Sequence, residues 1–289
     1  MTILEAYETG CRRLRDAEIL PADEARATVR IALDHLSGAR YAHLARPDRV
    51  LTVAEQARWN EWLDQLARGR PLAYLIGERA FLGLNFRCDE RALIPRPETE
   101  LLVEAAVARL KEYSAPRVAD LGTGSGAIAI GVAHLLPRAQ VWASDVSPGS
   151  LSLARENAER LGVAQRLHFV AGENGQWAAP LLGTENGARF DAVLSNPPYI
   201  ARRGVETLPP QIRDHEPRAA LDGGEDGLDD YRRIAAQCDA LLNAEGFLMV
   251  ELGAGQFEAA RTIFNAAGWT VEEPLYDLGG VARVLAATR

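Results

Sequence analysis

The sequence predicts an α/β chain: a small helical domain followed by a doubly wound, seven-stranded parallel sheet. Three observations predict it. Residues 1–75 carry apolar positions at helical spacing. From residue 117 onward, short apolar strands alternate with helices, the pattern of a parallel sheet. Two of those strands run straight into chemistry-bearing turns, Gly122–Gly126 and Asn196–Tyr199. Open sheets of this kind bind ligands at the carboxyl ends of their strands.

In the amino-terminal domain, Ile3, Leu4, Tyr7 and Leu14, then Ala25, Val29, Ala32, Leu33 and Leu36, mark the buried faces of two helices. Pro21-Ala22-Asp23-Glu24 opens the second, and Ser37-Gly38 closes it. Thr52 with Glu55 reads as a capping box for a third helix reaching Ala67. The period then changes to two between Phe81 and Cys88, which together with Ala92-Leu93-Ile94 predicts a β-hairpin. The expected domains are therefore 1–75 (helical), 76–96 (hairpin linker) and 97–289 (sheet). Pro97 sits at the first position of a helix that runs to about Tyr113.

Seven strands follow, at 117–121, 140–144, 167–170, 191–194, 246–251, 269–271 and 282–285. Helices at 127–136, 150–161, 228–242 and 256–267 separate most of them. Asn186-Gly187 predicts an exposed turn. Ala201–Gly227 reads as a long polar loop, the kind that serves as a lid or substrate surface.

Bulk properties restrict the function. The 289 residues are 47% hydrophobic and 25% charged, an ordinary globular balance, and no apolar run is long enough to cross a membrane. With no basic-then-apolar leader at Met1-Thr2-Ile3-Leu4-Glu5, the expectation is a cytoplasmic protein. A net charge of −8 argues against broad nucleic-acid binding driven by phosphate neutralisation. Cys11, Cys88 and Cys238 are far apart, show no metal-like spacing and read as small apolar residues rather than nucleophiles. His35, His43 and His215 read as packing or surface residues, and no general base is assigned.

The first chemical signal is Gly122-Thr123-Gly124-Ser125-Gly126 between a strand and an apolar helix, with Asp145 closing the next strand. Glycines admit a ligand close to the backbone, and the acid receives ribose hydroxyls; this is half of a nucleoside-cofactor site. Trp177 either lines the adenine pocket or covers the sheet, and spacing leaves both open. A nicotinamide cofactor fits poorly: the Tyr-x-x-x-Lys pair is impossible, because Lys111 is the sole lysine and no tyrosine lies four residues before it. S-adenosylmethionine, with one ribose for Asp145, fits better.

The second signal is Asn196-Pro197-Pro198-Tyr199. Two prolines stop the strand and stiffen the backbone. The Asn196 side-chain oxygen and the Pro197 carbonyl can each accept one N–H of a planar NH2 group, with Tyr199 packed on its flat face. Asn196, Pro197 and Tyr199 are the candidate catalytic residues.

These motifs together resemble the amino-group methyltransferases dependent on S-adenosylmethionine. Tyr74–Glu78, Leu93-Ile94-Pro95-Arg96-Pro97-Glu98-Thr99-Glu100 and Leu221-Asp222-Gly223-Gly224-Glu225-Asp226-Gly227-Leu228 are similar to the HemK/PrmC family, the peptide chain release factor glutamine methyltransferases. The resemblance implies a Rossmann-like methyltransferase sheet, and methyl transfer to the glutamine side-chain nitrogen in the Gly-Gly-Gln loop of class I release factors. It maps cofactor contacts to Gly122, Thr123, Gly124, Ser125, Gly126, Asp145, Trp177 and Asn196, and substrate contacts to Asn196, Pro197, Pro198 and Tyr199. It makes residues 1–75 the substrate-docking domain and implies no metal. One departure is the extended segment from Trp177 to Phe190. The rival readings are a methyltransferase acting on a ribosomal-protein glutamine, and one acting on an exocyclic amine of DNA or RNA; the latter requires a flipped base and a basic groove.

Overall fold

The computed structural model describes residues 1–172, 177–182 and 189–289. Two compact units divide the chain: residues 1–78 with 207–216, and residues 79–206 with 217–289. No described helix is long and apolar enough to cross a membrane.

The first unit is helical. It contains α1 (Ile3–Asp16), α2 (Ala22–Ser37), α3 (Ala42–Ala45), α4 (Val53–Leu66) and α5 (Leu72–Ile76). Thr2–Glu5 and Thr52–Glu55 both form the reciprocal capping box, while Gly38 ends α2 in the left-handed conformation. Ile3, Leu14, Val29, Leu33 and Trp59 fill its core. Each such burial is worth roughly 1.5–3 kcal/mol. The second segment of the unit, 207–216, falls within the stretch that the sequence reads as loop; Gln211 Nε2 within it donates to the Ile19 carbonyl at 3.0 Å.

Next comes the hairpin β1 (Glu78–Phe81) and β2 (Leu84–Arg87), which from Arg79 onward belongs to the second unit. Leu82 (φ 49°) and Gly83 (φ 73°) both take positive φ at its turn, the geometry that matches strand twist. Ala92-Leu93-Ile94 is not strand, contrary to the sequence expectation. Arg91 explains why: it is anchored to Asp89 and Glu156, and Ser150 Oγ donates to its carbonyl at 3.0 Å. The segment is thereby tied down at its start by α8.

The sheet then builds as α6 (Glu98–Leu110), β3 (Arg117–Leu121), α7 (Ala127–Leu135), β4 (Gln140–Asp145), α8 (Pro148–Arg160), β5 (Leu167–Ala171), α9 (Ala179–Leu182) and β6 (Phe190–Ser195). After α10 (Arg202–Val205), and α11 (Pro210–Arg213) in the first unit, come α12 (Asp229–Gln237), β7 (Leu242–Glu251), α13 (Phe257–Ala266), β8 (Thr270–Val271), β9 (Leu275–Tyr276) and β10 (Ala282–Thr288). Strand order is β5-β4-β3-β6-β7-β10-β8, and β9 also pairs with β10. Seven strands thus lie in one run, as predicted, with β9 an eighth that two residues of pairing made illegible. β3 through β7 are parallel, and β10 is antiparallel. Separate apolar clusters cover the two faces, around Leu102, Ile130 and Val141 on one and Leu121, Phe190 and Phe264 on the other. The predicted turn at Asn186-Gly187 lies outside the described residues.

Residues 201–227 are not uninterrupted loop, since they contain α10 and α11. Ile200 N donates to Leu221 O at 3.0 Å and Gly223 N to Ile200 O at 2.9 Å, so the Leu221–Gly227 stretch runs against the end of the Asn-Pro-Pro-Tyr segment. A Cβ on Gly223 would lie 2.6 Å from Pro198 O and 2.9 Å from Tyr199 Cα, contacts no side chain can make. Gly223→Ala is therefore expected to lower unfolding free energy by about 2–4 kcal/mol in urea denaturation. Gly255→Ala, whose methyl meets open space at φ +79°, is expected to cost only the ~1–2 kcal/mol of left-handed backbone.

Candidate active site

The carboxyl ends of three adjacent strands converge on one cleft. Leu121 of β3 pairs with Ser144 of β4 on one side and with Ser195 of β6 on the other. Gly122, Asp145 and Asn196 each follow one residue later, at the point where chain order reverses across the sheet.

Gly122 and Thr123 both donate their N–H to Ser144 O at 2.9 Å, turning the chain sharply. Gly122, Gly124 and Gly126 all have positive φ (71°, 55° and 86°), which is why the turn is glycine-rich. Asn157, fully buried on α8, ties this turn to the hairpin: its Nδ2 donates to Ser125 O at 2.9 Å and Arg87 O at 3.2 Å, and its Oδ1 accepts from Arg87 N at 2.7 Å.

Asp145 Oδ2 accepts from Gly124 N at 2.9 Å and Oδ1 from Ser147 N at 2.8 Å. With Val146 N–H also directed at it, the carboxylate still keeps acceptor capacity for a further donor. Burial pushes this carboxyl up from its ordinary range while the Ser147, Gly124 and Val146 N–H groups pull it back. Asp120 lies beneath the turn, fully buried. Its Oδ2 accepts from Thr123 Oγ1 at 2.6 Å and Ala129 N at 3.1 Å, and its Oδ1 has no partner among the described residues. Desolvation raises it to about 7.

The cleft offers a cavity of about 160 Å³. Its lining contains Gly122, Thr123, Gly124, Ser125, Asp145, Trp177, Asn196 and Pro198, all expected from sequence. Gly126, Pro197 and Tyr199 do not line it. Gly126 instead supports the turn from behind, where a Cβ would meet Ile130 and Ala154, and Pro197 is buried. Trp177 does both of the things that spacing left open. It faces the cleft, 3.7 Å from where a Gly122 Cβ would stand, and it packs on the core around Leu121 and Phe190.

The Asn196 amide is held from behind. Its Nδ2 donates to Thr99 Oγ1 at 3.1 Å; Thr99 Oγ1 donates to Glu251 Oε2 at 2.5 Å; and Tyr199 OH donates to Glu251 Oε1 at 3.3 Å. Gln256 Nε2 clamps the Tyr199 carbonyl at 2.8 Å. Burial pushes Glu251 up to about 7, against the pull of the Thr99 and Tyr199 hydroxyls. Burial, then the Glu251 charge, raises Tyr199. Sequence reasoning missed Glu251, Asn157 and the wall residues Ala92, Val146 and Ser147 as parts of the site. Thr99 stood inside a quoted motif without a role. Glu251 was legible only as the carboxyl end of a strand beside β6.

Residues 97–211 match the family model "Methyltransferase small domain", and residues 5–77 match "PrmC N-terminal domain". The release factor glutamine methyltransferase of Moorella thermoacetica is 42% identical over 247 residues, 85% of this chain and 84% of that protein. The Bradyrhizobium diazoefficiens protein of the same name is 39% identical over 293 residues, 100% of this chain and 95% of its own. The chain belongs to the release factor glutamine methyltransferase family. The likeness to a Pyrococcus furiosus methyltransferase structure (18% identity, TM-score 0.51, covering 82% of this chain and 98% of that one) and to the hMettl16 catalytic domain (17%, TM-score 0.56, covering 84% and 85%) extends to the fold alone.

The methyl donor that membership in this family implies is S-adenosylmethionine, and the residues present fit it. The glycine turn leaves space that a Cβ on Gly122 would enter, Asp145 keeps acceptor capacity, and Trp177 offers an apolar face.

Asp120 generates a pH prediction. The folded chain holds its proton more tightly than the unfolded chain. Its contribution to stability is therefore full below the ordinary aspartate range near ~4 and is lost as pH rises through about 7. Asp120→Asn is expected to shrink the stability difference between about pH 5 and about pH 8 by on the order of 2–3 kcal/mol, measured by urea denaturation.

Proposed function

We propose that this protein transfers a methyl group from S-adenosylmethionine to the side-chain nitrogen of the glutamine in the Gly-Gly-Gln loop of class I release factors, acting in the cytoplasm and without direct nucleic-acid contact. The observation that carries the reading is the Asn196 carboxamide. It sits at the cleft with its NH2 end committed to Thr99 and its oxygen left to accept.

Gly122, Thr123, Gly124, Ser125, Asp145, Trp177 and Asn196 would hold the cofactor, which supplies a methyl on a cationic sulfur. The rest of the task falls to the chain. An amide nitrogen is a poor nucleophile because its lone pair is delocalised. Asn196 Oδ1, which faces the cleft, accepts an amide N–H, orients the nitrogen and stabilises the positive charge it gains. Alignment of this kind contributes roughly 7–11 kcal/mol where it is best realised. The proton leaves after transfer, so no strong base is required. Pro198 contributes an apolar edge of the cleft, and Tyr199 anchors the segment through Glu251 and the core.

The helical unit would dock the protein substrate; it exposes Leu44, Val50 and Val53. A carboxamide target is favoured over an adenine because the chain carries net charge −8 and its first 75 residues are formally neutral. The test is transfer of labelled methyl to a purified release factor, to its Gln→Ala loop variant, to a ribosomal-protein fraction, and to DNA and RNA. Label only in the unsubstituted release factor supports the reading, and label in nucleic acid or in the Gln→Ala variant overturns it.

Asn196→Ala is expected to keep the melting temperature and much of the cofactor affinity while kcat falls about 10²–10³-fold, as when one transition-state partner is removed. Asp145→Ala is expected to weaken S-adenosylmethionine binding by about 10-fold or more in isothermal titration calorimetry.

A further inference from the structure

We propose that Thr99 and Glu251 form a polarity relay that determines which end of the Asn196 carboxamide faces the substrate. The inference rests on the functional reading above and names positioning residues that nothing in the motif itself identifies.

A hydroxyl donates one proton. Thr99 Oγ1 gives its proton to Glu251 Oε2 at 2.5 Å, so toward Asn196 it offers only a lone pair, and Asn196 Nδ2 donates to it at 3.1 Å. With its NH2 end committed there, the amide presents Oδ1 to the cleft. A reversed amide would set two acceptor oxygens against each other inside the protein, where an unmade hydrogen bond is costly. Thr99 and Glu251 are 3% and 1% exposed, so water cannot substitute for either. The carboxylate is placed by the sheet: Val250 pairs with Ser195, and Glu251 follows beside Asn196.

Among the described residues, the groups facing Glu251 are few. Thr99 and Tyr199 donate to its carboxylate, the Tyr231 hydroxyl donates to its main-chain carbonyl at 3.0 Å, and the charges of Glu98 and Arg283 act from α6 and β10. When Glu251 takes up a proton, its own O–H can donate to Thr99. That releases the Thr99 proton to donate to Asn196 Oδ1, and the amide turns its NH2 end toward the substrate N–H groups. Methylation therefore requires ionised Glu251, and the rate rises with pH through the titration of that buried carboxyl.

The test is steady-state kinetics on a purified release factor, from below to above neutral pH, for the unsubstituted enzyme, Thr99→Ser, Thr99→Val and Glu251→Gln, with S-adenosylmethionine affinity measured by calorimetry. Thr99→Val keeps the shape and loses the hydroxyl, whereas Thr99→Ser does the reverse. The relay predicts that Val lowers kcat about 10- to 100-fold with KM and cofactor affinity nearly unchanged, and that Ser stays within about threefold of the original. It also predicts that Glu251→Gln, which mimics the protonated acid, is slow and loses the acid limb of the pH profile. A merely structural role predicts that Ser is worse than Val and that the acid limb survives; either result overturns the relay. Should Thr99→Val not fold with an unpaired carboxylate beneath it, the double variant Thr99→Val/Glu251→Gln removes that charge and must show the same low, pH-independent kcat. An unsubstituted enzyme that binds S-adenosylmethionine but leaves release factors unmethylated overturns the functional reading and the relay together. Normal kcat in Thr99→Val overturns the relay alone.

Discussion

The parallel hydrogen-bond register between β3 and β6 is the constraint from which the site follows. Leu121 lies opposite Ser195, and the Ser195 hydroxyl donates to the Leu121 carbonyl at 2.8 Å, so both strands stop at one level. Neighbouring strands are about 4.8 Å apart, which sets Gly122 and Asn196 side by side. The same register on the other side of β3 adds Asp145. A slip of one residue would turn each strand's side chains to the opposite face and separate the acceptor amide from the glycine turn. Because β4 and β5 lie to one side and β7 to the other, no helix crosses this point, and the cleft opens there.

Register alone does not hold the Asn-Pro-Pro-Tyr segment still. Two prolines remove backbone freedom but also remove two N–H groups that could have fastened the segment. The chain compensates from three directions: Gln256 binds the Tyr199 carbonyl, the Leu221–Gly227 stretch pairs with Ile200, and Tyr199 is anchored to Glu251. Gly223 can make that close approach only because it lacks a side chain. For a nucleophile as weak as an amide nitrogen, rigidity of this corner replaces the basicity that other methyl acceptors possess.

Much of this was legible in the sequence, for identifiable reasons. The long helices were read correctly because caps such as Thr52–Glu55 and Gly38 are local. The parallel strands were read correctly because burial on both faces makes them continuously apolar. The glycine turn and Asp145 were legible as a spacing. The failures share one physical origin, which is dependence on distant partners. Ala92–Ile94 looks like a strand by composition, yet it is tied down at its start by the contact of Arg91 with Ser150, 59 residues apart. Residues 207–216 look like loop because their packing partners belong to the first unit. Tyr199 was expected against the substrate face, but its hydroxyl reaches a carboxylate 52 residues away and it does not line the cleft.

Glu251 shows why such distant partners matter. Burying a carboxylate with two hydroxyls as its side-chain partners is costly, and an apolar side chain of similar volume would commonly stabilise the fold more. An apolar residue there, however, would free the Thr99 hydroxyl to rotate, and a rotating hydroxyl accepts from an amide as readily as it donates to one. The two ends of the Asn196 carboxamide differ little in shape, so packing cannot tell them apart; only a fixed charge pattern can. The buried acid supplies that pattern through a proton whose direction it dictates. A stability penalty at the end of β7 is thereby exchanged for a single orientation of the amide that the cleft presents.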